Sequence, residues 1–265
     1  MMIQLEQLTH YFHKGSVNQV MALDRINLTV EKGDFITIIG SNGAGKSTLL
    51  NSLAGTFPPD SGRLLLGEKD ISQWPEHRRA KFISRVFQDP LMGTCASLTI
   101  EQNMALALRR GKARGFSMGV NREDRQRFRS KLTHLGLGLE ERLGDSVGLL
   151  SGGQRQALTM LMATLIPPQV LLLDEHTAAL DPKTARQILE LTQDIITEQH
   201  LTTLMVTHNM RQALKLGNRL IMLHHGKIIL DIQGEEKSKL SQEDLVARFY
   251  DRQEEELLTD RMLLG

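Results

Sequence analysis

The chain has 265 residues, 40% of them hydrophobic and 24% charged, a composition typical of a globular protein. Its formal net charge of +1 gives no global field that would recruit nucleic acid or a membrane surface. Cys95 is the single cysteine, which excludes an internal disulfide and is typical of a reducing compartment. The absence of a signal-like start and of any run near 18 apolar residues predicts a cytosolic protein.

Short apolar runs alternate with helical patterns along most of the chain, which predicts an α/β core with a mainly parallel sheet. Strands are expected at residues 35–39, 170–173 and 203–206, and the last two are apolar at consecutive positions, as in strands buried on both faces. Helices are expected at 46–54 and 184–199. Asp181 is the expected N-cap of the second helix, with Pro182 at its first position.

Residues 89–150 interrupt this alternation and are interpreted as a helical insertion, with the best helical patterns at 100–108 and 123–135. Two apolar runs within 219–232 flank His225 and Gly226, which favours a hairpin late in the core. From residue 233 the chain is charged, and short amphipathic helices are expected at 245–250 and 254–264.

A glycine-rich segment, Gly40 to Ser47, matches the phosphate-binding pattern G-x-x-x-x-G-K-[ST] between a predicted strand and a predicted helix. Glycines let backbone N–H groups turn inward around phosphate oxygens, and the helix N-terminus adds partial positive charge. Lys46 is expected to reach the β- and γ-phosphates and the Ser47 hydroxyl to bind Mg²⁺. The residues predicted to hold the ATP phosphates are Ser41, Asn42, Gly43, Ala44, Gly45, Lys46, Ser47 and Thr48.

The apolar run at 170–173 ends in two carboxylates, Asp174 and Glu175. Hard Mg²⁺ prefers oxygen ligands and keeps several waters, so Asp174 is placed to hold the hydrated metal. Glu175 is placed to polarise the water that attacks the γ-phosphate. A surface acidic pair is the alternative, and the nearby phosphate loop disfavours it.

Elements of the chain resemble, in this order, those of the ATP-binding cassette (ABC) ATPases over nearly the whole core: the phosphate loop, Gln88, the stretch Ser151 to Gln154, the acidic pair, the loop Ala178 to Asp181, and His208. The resemblance implies an α/β P-loop NTPase fold with a mainly parallel sheet, an N-terminal antiparallel β region and a helical subdomain insertion. It implies that Gln88 senses the γ-phosphate, helps to bind the metal and contacts a membrane partner. It also implies that His208 contacts the γ-phosphate and that the Asp181 loop crosses a dimer interface.

The stretch Ser151, Gly152, Gly153 and Gln154 resembles the family signature that caps ATP held by a second subunit. A hydroxyl and backbone N–H groups at a helix start make a second anion-binding terminus. The family fold sets the two glycine loops of one chain far apart, so two copies arranged head to tail complete two ATP sites. ATP then holds the dimer together, and hydrolysis releases it.

Three further features accompany the motifs. Phe12 is expected to stack on adenine from its spacing in the family, with Tyr11 as the other candidate and simple packing as the alternative. His176 stands where the family usually has proline, which predicts a less rigid loop; a metal-binding role is the other reading, and a neutral replacement is favoured. Nine lysines and arginines between residues 109 and 131 could face anionic lipid headgroups or nucleic acid, but a solvated or partner-facing helix surface is favoured.

The chain carries one set of motifs and shows no sustained heptad pattern. These two features favour a transporter ATPase over ribosome-linked or chromosome-linked ABC ATPases and predict no nucleic acid partner. The transporter ATPase is then expected to act with a separate permease. The tail from Leu258 to Leu264 resembles that of a bacterial group thought to work with a substrate-binding protein, some members being linked to amino-acid uptake. An importer is therefore predicted, with an exporter or lipid mover as the alternative, peripheral on the inner face of the membrane.

The expected organisation is a single ATPase domain over residues 1–232 followed by a helical extension at 233–265. Within the domain, residues 1–88 and 151–232 form the ATP-binding core and 89–150 the helical subdomain that ends at the signature.

Overall fold

The computed structural model describes residues 2–112 and 119–250, and two sheets organise them. The first sheet is antiparallel, in the order β2-β1-β4-β5. Its strands are β1 (Ile3–Phe12), β2 (Val20–Val30), β4 (Ser61–Leu66) and β5 (Lys69–Asp70). The antiparallel N-terminal region implied by the family resemblance is therefore present.

The second sheet has the order β10-β9-β3-β8-β7-β6 and is parallel except for the β9–β10 hairpin. Its strands are β3 (Phe35–Gly40), β6 (Ile83–Val86), β7 (Val170–Asp174), β8 (Thr202–Val206), β9 (Arg219–His224) and β10 (Lys227–Gln233). Strands β7 and β8 are buried at every position, as their uninterrupted apolar runs predict. The carboxyl ends of β3, β7 and β8 lie side by side and carry the phosphate loop, the acidic pair and the His208 segment.

The α-helices within the described ranges include α1 (Lys46–Ala54), α2 (Glu76–Arg79), α3 (Ile100–Leu108), α4 (Arg122–Thr133), α5 (Gly152–Thr164), α6 (Pro182–Gln199), α7 (Met210–Lys215) and α8 (Gly234–Lys239). Residues 242–250 are also helical, in agreement with the first of the two expected tail helices. The second, at 254–264, lies outside the described residues. Each helix in the described part of the chain is too short or too polar to cross a lipid bilayer.

Helices α3, α4 and α5 share a hydrophobic cluster that includes Ile100, Met104, Phe128, Leu132 and Leu158. Helix α3 has the predicted bounds, whereas α4 begins one residue early and ends two residues early. Its start is set by Asn121, whose side chain accepts a hydrogen bond from the Asp124 backbone N–H while the Asp124 carboxylate accepts one from the Asn121 N–H. The division into core, helical subdomain and extension stays a prediction.

The basic segment between α3 and α4 is only partly described, because residues 113–118 lie outside the described ranges. Arg110 turns inward, where it bonds the Ser84 hydroxyl and the carbonyls of Ala163 and Ile166. Arg125 forms a bidentate salt bridge with Glu101, with nitrogen–oxygen distances of 2.7 and 3.0 Å. At least two of the nine basic side chains therefore serve contacts within the protein, Arg110 with β6 and the end of α5, and Arg125 with α3.

Candidate nucleotide site

The phosphate loop joins the end of β3 to the start of α1, and its glycines fit it closely against neighbouring strands. Gly40 and Gly45 have φ angles of +151° and +100°. A Cβ at Gly40 would lie 2.2 Å from the Leu223 carbonyl oxygen, and one at Gly45 would lie 2.5 Å from that of Ala22. Both the backbone conformation and the available space therefore require glycine.

Lys46 folds back over this loop and donates hydrogen bonds from Nζ to the carbonyl oxygens of Gly40 at 2.8 Å and Ser41 at 2.9 Å. Burial lowers the pKa of Lys46, and the charges of Glu175 and Asp174 act in the opposite direction. The ammonium group thus lies at the loop, within electrostatic reach of both carboxylates. Ser41, Asn42, Gly43 and Ser47 are exposed, Thr48 is half-buried, and Ala44 and Gly45 are buried.

The Ser47 hydroxyl donates to Asp174 Oδ1 at 3.3 Å, which brings together two of the three residues predicted to bind the metal. A hydroxyl and a carboxylate suit the oxygen preference of Mg²⁺, which usually takes only one or two carboxylates from the protein. The third, Gln88, is exposed just beyond β6 and lines a cavity of about 600 Å³ together with Asp174 and Asn51. The residues present therefore fit a magnesium ion bound jointly with phosphate oxygens.

Glu175 follows β7 in a left-handed conformation, with φ of +43°, which is uncommon for a residue other than glycine. Its backbone N–H donates to the Val206 carbonyl at 3.1 Å, so the conformation is tied to β8. Its Oε2 lies 3.5 Å from His208 Nδ1. The predicted base and the predicted γ-phosphate contact are thus neighbours, as their positions at adjacent strand ends require.

The signature stretch begins α5, and Ser151 is its N-cap. The Ser151 hydroxyl accepts from the Gln154 backbone N–H at 3.2 Å, and Gln154 Oε1 accepts from the Ser151 N–H at the same distance. A Cβ on Gly153 would lie 2.2 Å from Thr184 Cγ2, and one on Gly152 would lie 3.5 Å from Leu180 Cδ2. The start of α5 therefore packs directly on the start of α6.

Asp181 caps α6 as predicted, since its carboxylate accepts from the backbone N–H groups of Lys183 and Thr184 at 3.2 and 3.1 Å. Hydrogen bonding to Thr184 holds the pKa of Asp181 below its usual value. Because α5 packs on α6, the signature and the Asp181 loop form one continuous surface.

Phe12 lies at the end of β1 with 39% of its surface exposed. Its ring packs edge-on against His10 and Phe57, with centroids 5.0 and 5.8 Å away. The ring of Phe12 is therefore held in an aromatic cluster with His10 and Phe57. Tyr11, the other candidate, instead has the Lys14 ammonium 5.7 Å from its ring centroid.

Sequence reasoning missed one residue of the site and left another open. Arg85 in β6 donates to Asp174 Oδ2 at 2.7 Å; an arginine inside an apolar strand, three residues before Gln88, was the available signal. His176 is buried, and its Nε2 lies 3.1 Å from Thr192 Oγ1. Within the described residues no group of three His, Cys, Asp or Glu side chains could hold a metal ion.

Comparison with known proteins agrees with this fold. The ABC transporter family model matches residues 23–178. The tyrosine transport ATP-binding protein of Clostridioides difficile (strain R20291) is 43% identical over 94% of this chain and 98% of the relative. The methionine import ATP-binding protein MetN 2 of Enterococcus faecalis (strain ATCC 700802 / V583) is 34% identical over 99% of this chain and 75% of the relative.

Among solved structures, the dimeric post-hydrolysis state of the ATP-binding cassette MJ0796 bound to ADP and Pi superposes with a TM-score of 0.74. It is 29% identical and covers 88% of this chain and 98% of that one. The chain therefore belongs to the ABC transporter family. It is an ATP-binding transport subunit, and its enzymatic activity is that of an ABC-type ATPase.

Proposed function

We propose that this ATPase energises a separate membrane permease that imports a small solute, with an amino acid as cargo. The observation that carries this proposal is the 43% identity to a tyrosine transport ATP-binding protein over nearly the whole length of both chains. The similarity to a methionine import protein over 99% of this chain supports the same direction of transport.

In this proposal the backbone N–H groups of the loop from Ser41 to Thr48 bind the ATP phosphates, and Phe12 stacks on adenine. Lys46 exchanges its two carbonyl contacts for phosphate oxygens, which are stronger partners for an ammonium because they carry charge. Ser47, Asp174 and Gln88 hold Mg²⁺, which neutralises charge on the phosphate oxygens. These assignments combine the family resemblance with the contacts that bring Lys46, Ser47 and Asp174 together.

Glu175 acts as the general base. Its carboxylate accepts a proton from a water molecule whose oxygen bonds to the γ-phosphorus, while the bond to the bridging oxygen breaks and ADP leaves. His208, whose Nδ1 lies 3.5 Å from Glu175 Oε2, contacts the γ-phosphate from the adjacent strand end. Loss of the γ-phosphate removes the contacts of Lys46 and His208 together.

The ATP site is completed by Ser151, Gly152, Gly153 and Gln154 of a second copy, with Asp181 at the interface between the copies. We assign ATP binding to residues 1–88 and 151–232, and docking on the permease to the Gln88 region and residues 89–150. Residues 233–265 are the C-terminal extension. The permease places the protein on the inner face of the cell membrane, and an extracytoplasmic substrate-binding protein delivers the cargo.

The test is co-purification with Glu175→Gln, which is expected to bind ATP and to stall as an ATP-bound dimer. Tagged Glu175→Gln is expressed in the native host, and detergent-solubilised membranes are purified with ATP and Mg²⁺. The matched control is the same preparation without nucleotide. A polytopic permease that is enriched with ATP supports the proposal, whereas ribosomes or no membrane protein would contradict it.

Direction and cargo are tested by uptake. A strain lacking this chain is supplied with radiolabelled tyrosine, methionine or thiamine, and uptake is compared after complementation with wild type and with Glu175→Gln. We expect wild type alone to restore uptake of an amino acid. Restored efflux, or restored uptake of thiamine alone, would contradict the proposed direction or cargo.

A further inference from the structure

Arg85 is a charged residue within the short strand β6, between the buried residues Ser84 and Val86. Its side chain is only 12% exposed. A guanidinium that is largely removed from water needs hydrogen-bond partners for its N–H groups, because the cost of desolvation is otherwise uncompensated. The charged partner of Arg85 is Asp174, a residue of the candidate nucleotide site.

The guanidinium joins three elements of the site. One nitrogen donates to Asp174 Oδ2 on β7 at 2.7 Å, and another donates to Asn51 Oδ1 on α1 at 2.5 Å. Its carbon lies 4.6 Å from the centroid of the Phe87 ring, which immediately precedes Gln88. One side chain thus connects the carboxylate expected to hold magnesium, the helix that follows the phosphate loop, and the Gln88 segment.

The two carboxylate oxygens of Asp174 have different hydrogen-bond partners. Oδ2 is held by Arg85, while Oδ1 faces the Ser47 hydroxyl at 3.3 Å. The carboxylate is 12% exposed, so few orientations are open to it. A fork-shaped donor with two fixed partners orients a carboxylate more firmly than a flexible ammonium does.

We propose that Arg85 holds Asp174 through Oδ2 and offsets its charge, leaving Oδ1, beside the Ser47 hydroxyl, as the oxygen that would face magnesium. The inference rests on the proposed role of Asp174. It has an electrostatic consequence: the positive charge of Arg85 repels a second cation at the same carboxylate. Magnesium would therefore meet a carboxylate whose negative charge is already partly offset by Arg85. The affinity of Asp174 for magnesium would be lower, and magnesium binding would depend on the phosphates of ATP.

The test measures thermal unfolding with a saturating non-hydrolysable ATP analogue while free Mg²⁺ is varied. Replacing Arg85 by a neutral residue, in Arg85→Gln or Arg85→Met, should lower the melting temperature without Mg²⁺. It should also lower the Mg²⁺ concentration for half-maximal stabilisation by about tenfold, since one opposing charge is gone. Arg85→Lys keeps the charge and should retain a midpoint near that of wild type.

Arg219→Met is the matched control, because Arg219 is also 12% exposed and pairs with Asp231 at 2.5 Å, outside the site. It should lower the melting temperature and leave the Mg²⁺ midpoint unchanged. An unchanged or raised midpoint in both neutral Arg85 variants would overturn the inference. Asp174→Asn separates the two proposals: if it leaves the midpoint unchanged, then Asp174 does not hold the metal and the proposed function of that residue fails first.

Discussion

His176 and Thr192 connect the segment that follows β7 to the middle of α6, with His176 Nε2 3.1 Å from Thr192 Oγ1. The Thr192 hydroxyl donates its proton to the Ile188 carbonyl at 2.7 Å, so its oxygen accepts from His176. His176 therefore carries a proton on Nε2. The residue next to Glu175 is held by burial and this bond, where the family usually has proline.

This pairing predicts a specific loss of stability in acid. Burial lowers the pKa of His176 to about 4, below the roughly 6.5 of an unfolded histidine. The unfolded state therefore binds the proton more readily, and stability should fall as the pH drops from about 6.5 towards 4, by up to about 1.4 kcal/mol per pH unit. Urea unfolding of wild type and His176→Gln at pH 7, 5.5 and 4.5 measures the difference.

The His176→Gln variant keeps a hydrogen-bond donor and cannot titrate, so its stability should change less over this range than that of wild type. His13→Gln, at an exposed histidine, is the control and should behave as wild type. Equal pH dependence in wild type and His176→Gln would mean that the buried imidazole is not the acid-sensitive group.

Lys46→Ala should weaken ATP binding by about 10- to 100-fold, the equivalent of hydrogen bonds from a charged group. Equilibrium binding of a fluorescent ATP analogue measures the effect. Lys237→Ala is the control, because this lysine is also buried and also donates to backbone carbonyls, those of Leu216 and Gly217. It should reduce stability while ATP affinity stays at the wild-type value; a similar loss of affinity in both variants would point to unfolding rather than to phosphate binding.

Gly153→Ala should destabilise the protein by about 1–3 kcal/mol, because the new methyl group overlaps Thr184 Cγ2. Gly152→Ala is the control: its methyl group meets Leu180 at an ordinary contact distance of 3.5 Å, and alanine favours a helix. Thr184→Ala should rescue Gly153→Ala in the double variant. Chemical denaturation measures the free energy of unfolding of wild type and of each variant. Strictly additive losses in Gly153→Ala and Thr184→Ala would show that residues 153 and 184 are not in contact.

Ser151→Arg should abolish the ATP-dependent dimer in the Glu175→Gln background while leaving ATP binding by the monomer intact. The exposed N-cap faces outward, and a long cation there would obstruct a second copy. Light scattering with and without ATP provides the measurement. Ser151→Ala should lose about 1 kcal/mol of stability through the cap yet still dimerise, and Ser238→Arg controls for added charge. A normal dimer in Ser151→Arg would contradict the head-to-tail arrangement.

Local patterns in the sequence were sufficient for much of the fold. The strands around the phosphate loop, helix α1 and the Asp181 cap depend on neighbours within a few residues, and they lie where they were predicted. The predicted start of α4 lies one residue too late, because the helix begins directly after its N-cap, Asn121. The choice of phosphate-loop residues likewise followed from spacing alone.

Contacts between side chains across the sheet depend on the tertiary structure. Arg85 and Asp174 are 89 residues apart in sequence, and they meet because β6 and β7 pair in register, with Arg85 opposite Leu172. His176 reaches Thr192 because α6 folds back over the strand end. The phosphate loop, the acidic pair and the signature could be predicted from the sequence, because each consists of contiguous residues. Partner choice within the buried site depends on strand order and register, which no local pattern contains.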